Sequence, residues 1–343
     1  MDGITAHGEI AAGVPRHVKR SLERFARRPG ELGRAVGNVD LATKVGAVDL
    51  PTPVMTASGT AGHGAELASY FDLSLLGALV VKSLSIMPWP GNSAPRVVQL
   101  PGAMMNSVGL QGPGVQGWID DDLPALRKAG ARVVVSIWGR TVEEYAEAAE
   151  ALVPIQDQLT AVELNVSCPN LKDGKKMFAH SCEGAASIVE ATQMLSVARW
   201  AKLSPTVTNI TEIAGAAAEA GADAVTLTNT LIGLVLDPKT GDPVLGGGGG
   251  GVSGPAIRPV ALRAVFDVAS AYPDLPIVGV GGIATAEDAV QYLRAGASAV
   301  QVGTANFADP RATMRITDAL VAWCDEAGVD RVTDLIGTAH KDR

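Results

Sequence analysis

Beyond residue 50 the chain repeats one unit eight times: a short run rich in Val, Ala and Leu, a polar or glycine-bearing loop, and a stretch with helical spacing. The short runs lie at 53–57, 78–82, 132–137, 160–165, 198–203, 223–228, 276–280 and 298–302. Helical spacing marks 142–152, 183–195, 208–220, 259–271 and 286–295. The phrase Ala-Gly-Ala recurs at 129–131, 220–222 and 295–297, where a helix ends on glycine just before the next strand. Strands that alternate with helices make a parallel sheet, because a parallel neighbour is reached only by a crossover. Eight such units predict a closed (β/α)8 TIM barrel rather than an open doubly wound sheet, and no Gly-x-Gly-x-x-Gly follows the first run. The expected organisation is an N-terminal basic extension over residues 1–40 and one barrel domain over 41–343.

Composition narrows the setting. The longest clean apolar run, 75–81, is stopped by Lys82 and falls far short of the roughly 18 residues of a membrane span. The three cysteines, Cys168, Cys182 and Cys324, cannot all pair, and no cleavable leader follows Met1, so the cytoplasm is the expected location. They also lack iron–sulfur spacing, which leaves Cys182 and Cys324 as packing residues. In such a compartment the sequons at Asn165 and Asn209 carry no weight. A net charge of −8 opposes nonspecific binding to nucleic acid and favours a small-molecule partner. One segment runs the other way: Arg16, Lys19, Arg20, Arg24, Arg27, Arg28 and Arg34 face only Glu23 and Glu31, with Val18, Leu22 and Phe25 on one helical face. Docking on its own acidic barrel is the favoured reading of this arm, ahead of an acidic partner, with a membrane surface last because the apolar face is short.

Active sites of such barrels sit where the strands end, so polar residues are expected to collect there. They do. The run ends carry Ala57 and Ser58, Lys82, Ser136, Asn165, Lys202, Asn229, Gly281 and Gly282, and Gly303 and Thr304. A lysine directly after an apolar run, as at Lys82 and Lys202, is costly to bury unless an anion or an electron-rich ring meets it. Glycines after the last two strands suit a phosphate held by backbone. After the fourth run, Cys168 follows a strand end between Asn165 and Asn170, which points its thiol toward a ligand rather than the core. With Asn106 and Asn229 this gives one barrel mouth four carboxamides, suited to a heterocycle edged with C=O and N–H groups.

At these residues the chain resembles the class 1 dihydroorotate dehydrogenases, over about residues 41–336. The specific phrases are NSVGLQGPG (106–114), ELNVSCPN (163–170), GVSGPAIRPVALR (251–263) and VGTANFADP (302–310), and the last two look most like class 1B. The resemblance implies flavin mononucleotide (FMN) in the barrel mouth and oxidation of dihydroorotate to orotate for pyrimidine biosynthesis. It implies that Cys168 is the general base, that Asn106, Asn165, Asn170, Asn229 and Thr230 bind the substrate, and that no metal takes part. Ala57, Ser58, Lys82, Ser136, Lys202, Ser253, Gly254, Gly281, Gly282, Gly303 and Thr304 are the implied cofactor contacts. Lys82 would meet the reactive edge of the flavin and Lys202 its pyrimidine part. A homodimeric core and a second subunit carrying FAD and an iron–sulfur cluster are the implied partners.

The chain departs from the family pattern in several places. Ser136 stands where an Asn is expected, with Trp138 two residues on; residues 172–176 are unusually basic; and six glycines, 246–251, read as flexible filler. Two alternatives stay open: a paralogue acting on a related dihydropyrimidine or small cyclic substrate, and an FMN-binding subunit without turnover.

Overall fold

The strand-forming runs are mostly apolar and buried at nearly every position, the mark of strands covered on both faces. The computed structural model describes residues 39–167 and 178–341; the basic arm at 15–34 and the loop at 172–176 lie outside them. In chain order come a hairpin, β1 (Thr43–Val45) and β2 (Val48–Leu50), then β3 (Val54–Thr56) and β4 (Leu79–Val80). A second hairpin, β5 (Val97–Leu100) and β6 (Ala103–Asn106), precedes β7 (Val133–Ile137), β8 (Ala161–Asn165), β9 (Arg199–Leu203) and β10 (Ala224–Leu227). After β11 (Leu231–Gly233) and β12 (Gly250–Ser253), β13 (Ile277–Val280) and β14 (Ala299–Val302) complete the set.

Eight of these strands, one in each expected run, form a single parallel sheet in the order β3-β14-β13-β10-β9-β8-β7-β4. Its two ends meet: Gly77 donates to the Val54 carbonyl at 3.0 Å and Thr56 to the Ala78 carbonyl at 3.2 Å, which closes the barrel. The helices Val142–Leu152, Cys182–Ala191, Ile210–Glu219, Arg258–Ala271 and Ala286–Arg294 fall where helical spacing placed them. The three Ala-Gly-Ala glycines, Gly130, Gly221 and Gly296, all have positive φ, the left-handed turn by which a helix stops and the chain re-enters the sheet.

Side chains alternate along each barrel strand and so sort into two cores. Val133, Val135, Ile137, Val162, Leu164, Ala201 and Leu203 face outward and pack under the helices. Val134, Ala161, Trp200, Ala224, Val278 and Ala299 face inward, joined by Val45 and Leu50 of the β1–β2 hairpin, which plugs the N-terminal end. Each fully buried Val or Leu side chain there contributes about 1.5–3 kcal/mol. Along β8 the inward series runs Ala161, Glu163, Asn165, so the interior changes from apolar at the bottom to charged and then to amide at the top.

One expectation is corrected. The glycine run is not flexible filler: Gly250 and Gly251 belong to β12, which pairs with β11 and β6 in an antiparallel sheet above the barrel, ordered β11-β12-β6-β5. A Cβ at Gly251 would stand 2.0 Å from Thr230 Oγ1, and one at Gly250 would stand 2.4 Å from the Asn106 carbonyl oxygen. Glycine is present there because two backbones and a site residue approach too closely for any side chain. Among the described residues no helix is long and apolar enough to cross a membrane. Cys182 and Cys324 are free, and burial pushes the Cys324 thiol up, which fits a packing role.

Candidate active site

The inward side chains at the C-terminal ends of the barrel strands and the overlying antiparallel sheet enclose a cavity of about 480 Å³, a size suited to a small organic ligand. Ala57, Ser58, Lys82, Asn106, Asn165, Lys202, Asn229, Thr230, Ser253, Gly254, Gly281, Gly282, Gly303 and Thr304 all line it. Fourteen expected positions, drawn from nearly every strand end, thus share one space. Ser136 is set one layer back: it is fully buried and its hydroxyl lies 2.9 Å from that of Ser83. Trp138 packs edge-on against Trp89 at 5.7 Å. Cys168 and Asn170 lie outside the described residues, although Asn165 and Ser167, just before them in sequence, line the cavity.

The carboxamide wall is a chain of hydrogen bonds. Asn229 donates to Asn165 Oδ1 at 3.0 Å, Asn165 donates to Ser83 Oγ at 3.1 Å, and the Thr230 backbone N–H donates to Asn229 Oδ1 at 2.8 Å. Beneath Asn165, the buried Tyr145 hydroxyl donates to its carbonyl at 2.6 Å. Each amide is therefore fixed in orientation, and each NH2 keeps a second N–H for a ligand. Ser83, whose hydroxyl is also 3.2 Å from that of Ser58, joins the amide wall to the loop after β3. It escaped sequence reading because a Ser after a strand resembles ordinary turn chemistry.

The opposite side is built from loops. Gly254, Gly281 and Gly282 have φ of 94°, 141° and 68°, so these loops present backbone instead of side chain to the cavity. The Thr304 hydroxyl lies 2.8 Å from that of Ser253 and ties the loop after β14 to β12. Such a cradle suits a phosphate. Downstream, Asp309 bonds Arg311 Nε at 2.9 Å and Arg315 Nη1 at 2.8 Å. Burial opposes ionisation of Asp309, but hydrogen bonds from both arginines outweigh it and bring its carboxyl down from 3.8 to about 2. A depressed carboxyl stabilises the fold above its unfolded value and loses that contribution as pH falls toward its folded value. Asp309→Asn is therefore expected to lower Tm at neutral pH and to reduce the further loss that the native chain suffers between pH 4 and 2; thermal melts across that range check it.

The two lysines are held differently. Burial pushes the Lys82 ammonium down from its ordinary value, and the charge of Arg96 adds to the shift. Among the described residues no carboxylate lies within ion-pairing distance of Lys82, so it offers the cavity an uncompensated cation. Its neighbour His63 is pushed down by burial and then by Lys82, which keeps the imidazole neutral. Lys202 is only 4% exposed, and its anion is supplied from within: Glu163 Oε1 lies 3.2 Å from Nζ. Among the described residues no group of His, Cys, Asp and Glu has the arrangement of a metal site.

The sequence profile of the dihydroorotate dehydrogenase family matches residues 40–323. The protein named "dihydroorotate dehydrogenase B (NAD(+)), catalytic subunit" in Geotalea uraniireducens is 45% identical over 303 residues, covering 88% of this chain and 99% of that relative. Its namesake in Pelobacter propionicus is 46% identical over 299 residues, covering 87% and 98%. In Geobacillus kaustophilus the figures are 43% over 302 residues, covering 88% and 96%. The matched span takes in all eight barrel strands and every described loop that walls the cavity, and the chain belongs to the dihydroorotate dehydrogenase family.

Proposed function

We propose that this chain is the catalytic subunit of an FMN-dependent dihydroorotate dehydrogenase, oxidising dihydroorotate to orotate in pyrimidine biosynthesis. The observation that carries this reading is the single cavity in which Asn106 and the fixed amides of Asn165 and Asn229 share space with the glycine loops and two lysines. The residues present suit FMN. The Gly254, Gly281–Gly282 and Gly303–Thr304 loops would hold its phosphate, while Ala57, Ser58, Lys82, Lys202 and Ser253 would surround the rest of it. Ser136 would act through Ser83 rather than by direct contact.

FMN, when bound, supplies the hydride acceptor for C6 of the substrate. The protein supplies the other half of the chemistry. Asn106, Asn165, Asn229, Thr230 and, beyond the described residues, Asn170 would bind the pyrimidine edge and carboxylate, leaving C5 toward Cys168. The Cys168 thiolate would take the C5 proton, so that the C5–H electron pair becomes the new C5=C6 double bond. A thiol near pKa 8.5 is a workable base at neutral pH when partly ionised.

The electron acceptor lies outside this chain. The curated relatives are named as NAD(+)-linked catalytic subunits. We take the partner to be a subunit bearing FAD and an iron–sulfur cluster, docked on a homodimer of this chain. Val97, Ile232 and Phe307, exposed at the cavity rim, support a protein partner at that edge. Free Cys182 and Cys324 suit the cytoplasm. The test is to purify the chain, release its cofactor by heat and identify it. FMN at about one per chain is expected, and orotate is expected to perturb its spectrum; FAD, or no flavin after reconstitution with FMN, contradicts the reading.

A further inference from the structure

Glu163 is fully buried inside the barrel, yet binding and proton transfer leave it without a task. It closes a triangle with residues from two other strands. Lys202 Nζ donates to Glu163 Oε1 and to Gln301 Oε1, each at 3.2 Å, and Gln301 Nε2 donates to Glu163 Oε2 at 2.7 Å. The triangle fixes the glutamine amide, since the reverse orientation would set its oxygen against the carboxylate and its NH2 against the ammonium. It also accounts for two of the three N–H bonds of Lys202, leaving one for the cavity that Lys202 lines.

Stability does not explain such a group. Replacing a buried ion pair by apolar residues of similar size is often neutral or stabilising, whereas removing one partner is strongly destabilising. In the same barrel the layer below is filled by Val134, Ala161, Trp200, Ala224, Val278 and Ala299, so a hydrophobic filling is open to the fold and is not used one step higher. What the triangle does supply is a cation held in one position with its charge largely offset.

We propose that Glu163 and Gln301 are positioning residues that hold the Lys202 ammonium at the cavity floor with one N–H directed to the bound flavin, and that the Glu163 carboxylate sets the flavin's reduction potential by offsetting the lysine's charge. The inference rests on the FMN reading. Reduction adds negative charge to the pyrimidine part of the ring, so a nearby cation makes reduction easier and a nearby carboxylate makes it harder. The carboxylate 3.2 Å from the ammonium moderates the rise that the lysine produces.

The experiment is an equilibrium measurement of the midpoint potential of bound FMN in the full chain, together with the FMN dissociation constant. Glu163→Gln keeps the shape and an accepting oxygen but removes the charge, and the potential is expected to rise. Lys202→Met leaves the carboxylate unpaired, and the potential is expected to fall while FMN binds more weakly. Adding Glu163→Gln to Lys202→Met is expected to bring the potential back up, and this pair of variants carries the test if Glu163→Gln alone does not fold. A structural role alone lowers Tm and leaves the potential in place; an unmoved potential with FMN retained in Glu163→Gln, or no recovery in the double variant, overturns the proposal. A native chain that holds no FMN contradicts the FMN reading itself, which separates the two failures.

Discussion

Cys168→Ala is expected to keep its FMN and to lose reduction by dihydroorotate by about 10²–10⁴-fold, the usual worth of a positioned general base. The phosphate loops and lysines that would hold the cofactor come from other strands, so their hold does not depend on the thiol. Loss of the base leaves the C5 proton with only water to receive it, while hydride departure from C6 requires that proton to leave. Cys168→Ser is expected to retain weak activity that rises with pH, since an alcohol becomes a useful base only when deprotonated. Stopped-flow bleaching under anaerobic conditions reads both. A Cys168→Ala chain that is reduced at the native rate removes Cys168 from the chemistry.

Gly282→Val is expected to weaken FMN binding strongly while the barrel still folds. Gly282 has φ of 68°, and a Cβ there would stand 2.7 Å from the Gly254 carbonyl oxygen and 3.1 Å from the Arg258 backbone nitrogen. The left-handed backbone costs a branched residue about 1–2 kcal/mol and overpacking about 1–3 kcal/mol. The loops after β12 and β13 must then separate, and they are the loops proposed for the phosphate. A fall in FMN affinity of about a hundredfold follows if most of that cost falls on binding. Gly328→Ala is the control: its φ is 67° but nothing lies within 4 Å of a Cβ there, so it is expected to lower Tm slightly and leave FMN content alone. Isothermal titration of both apo-proteins with FMN checks the pair.

The barrel was legible in the sequence because its strands are buried on both faces and its helices carry one apolar face, and both leave local periodic signals. The Ala-Gly-Ala turns were legible for the same reason, since a helix stop is encoded within a few residues. The antiparallel sheet was not. It joins β5 and β6 to β11 and β12 across about 145 residues, as in the Asn106–Gly251 pairing, and β12 opens on two glycines, which weaken its strand signal. Expected site positions could be gathered from strand ends because a barrel brings every strand end to one mouth. Ser136 shows the limit of that rule: its hydroxyl lies 2.9 Å from that of Ser83, and it is Ser83 that lines the cavity. Glu163 was visible as a letter but not as a partner. Its inward placement follows from alternation with Ala161 and Asn165, and an inward carboxylate requires a cation on an adjacent strand, which was the available signal for its pairing with Lys202.

The most direct measurement is an anaerobic titration of the purified, FMN-loaded chain with dihydroorotate while the visible flavin absorbance is followed. One equivalent of dihydroorotate per bound FMN is expected to bleach the flavin and release one equivalent of orotate, with no partner subunit present. A flavin that stays oxidised under excess dihydroorotate, or that bleaches only with a different dihydropyrimidine, contradicts the account.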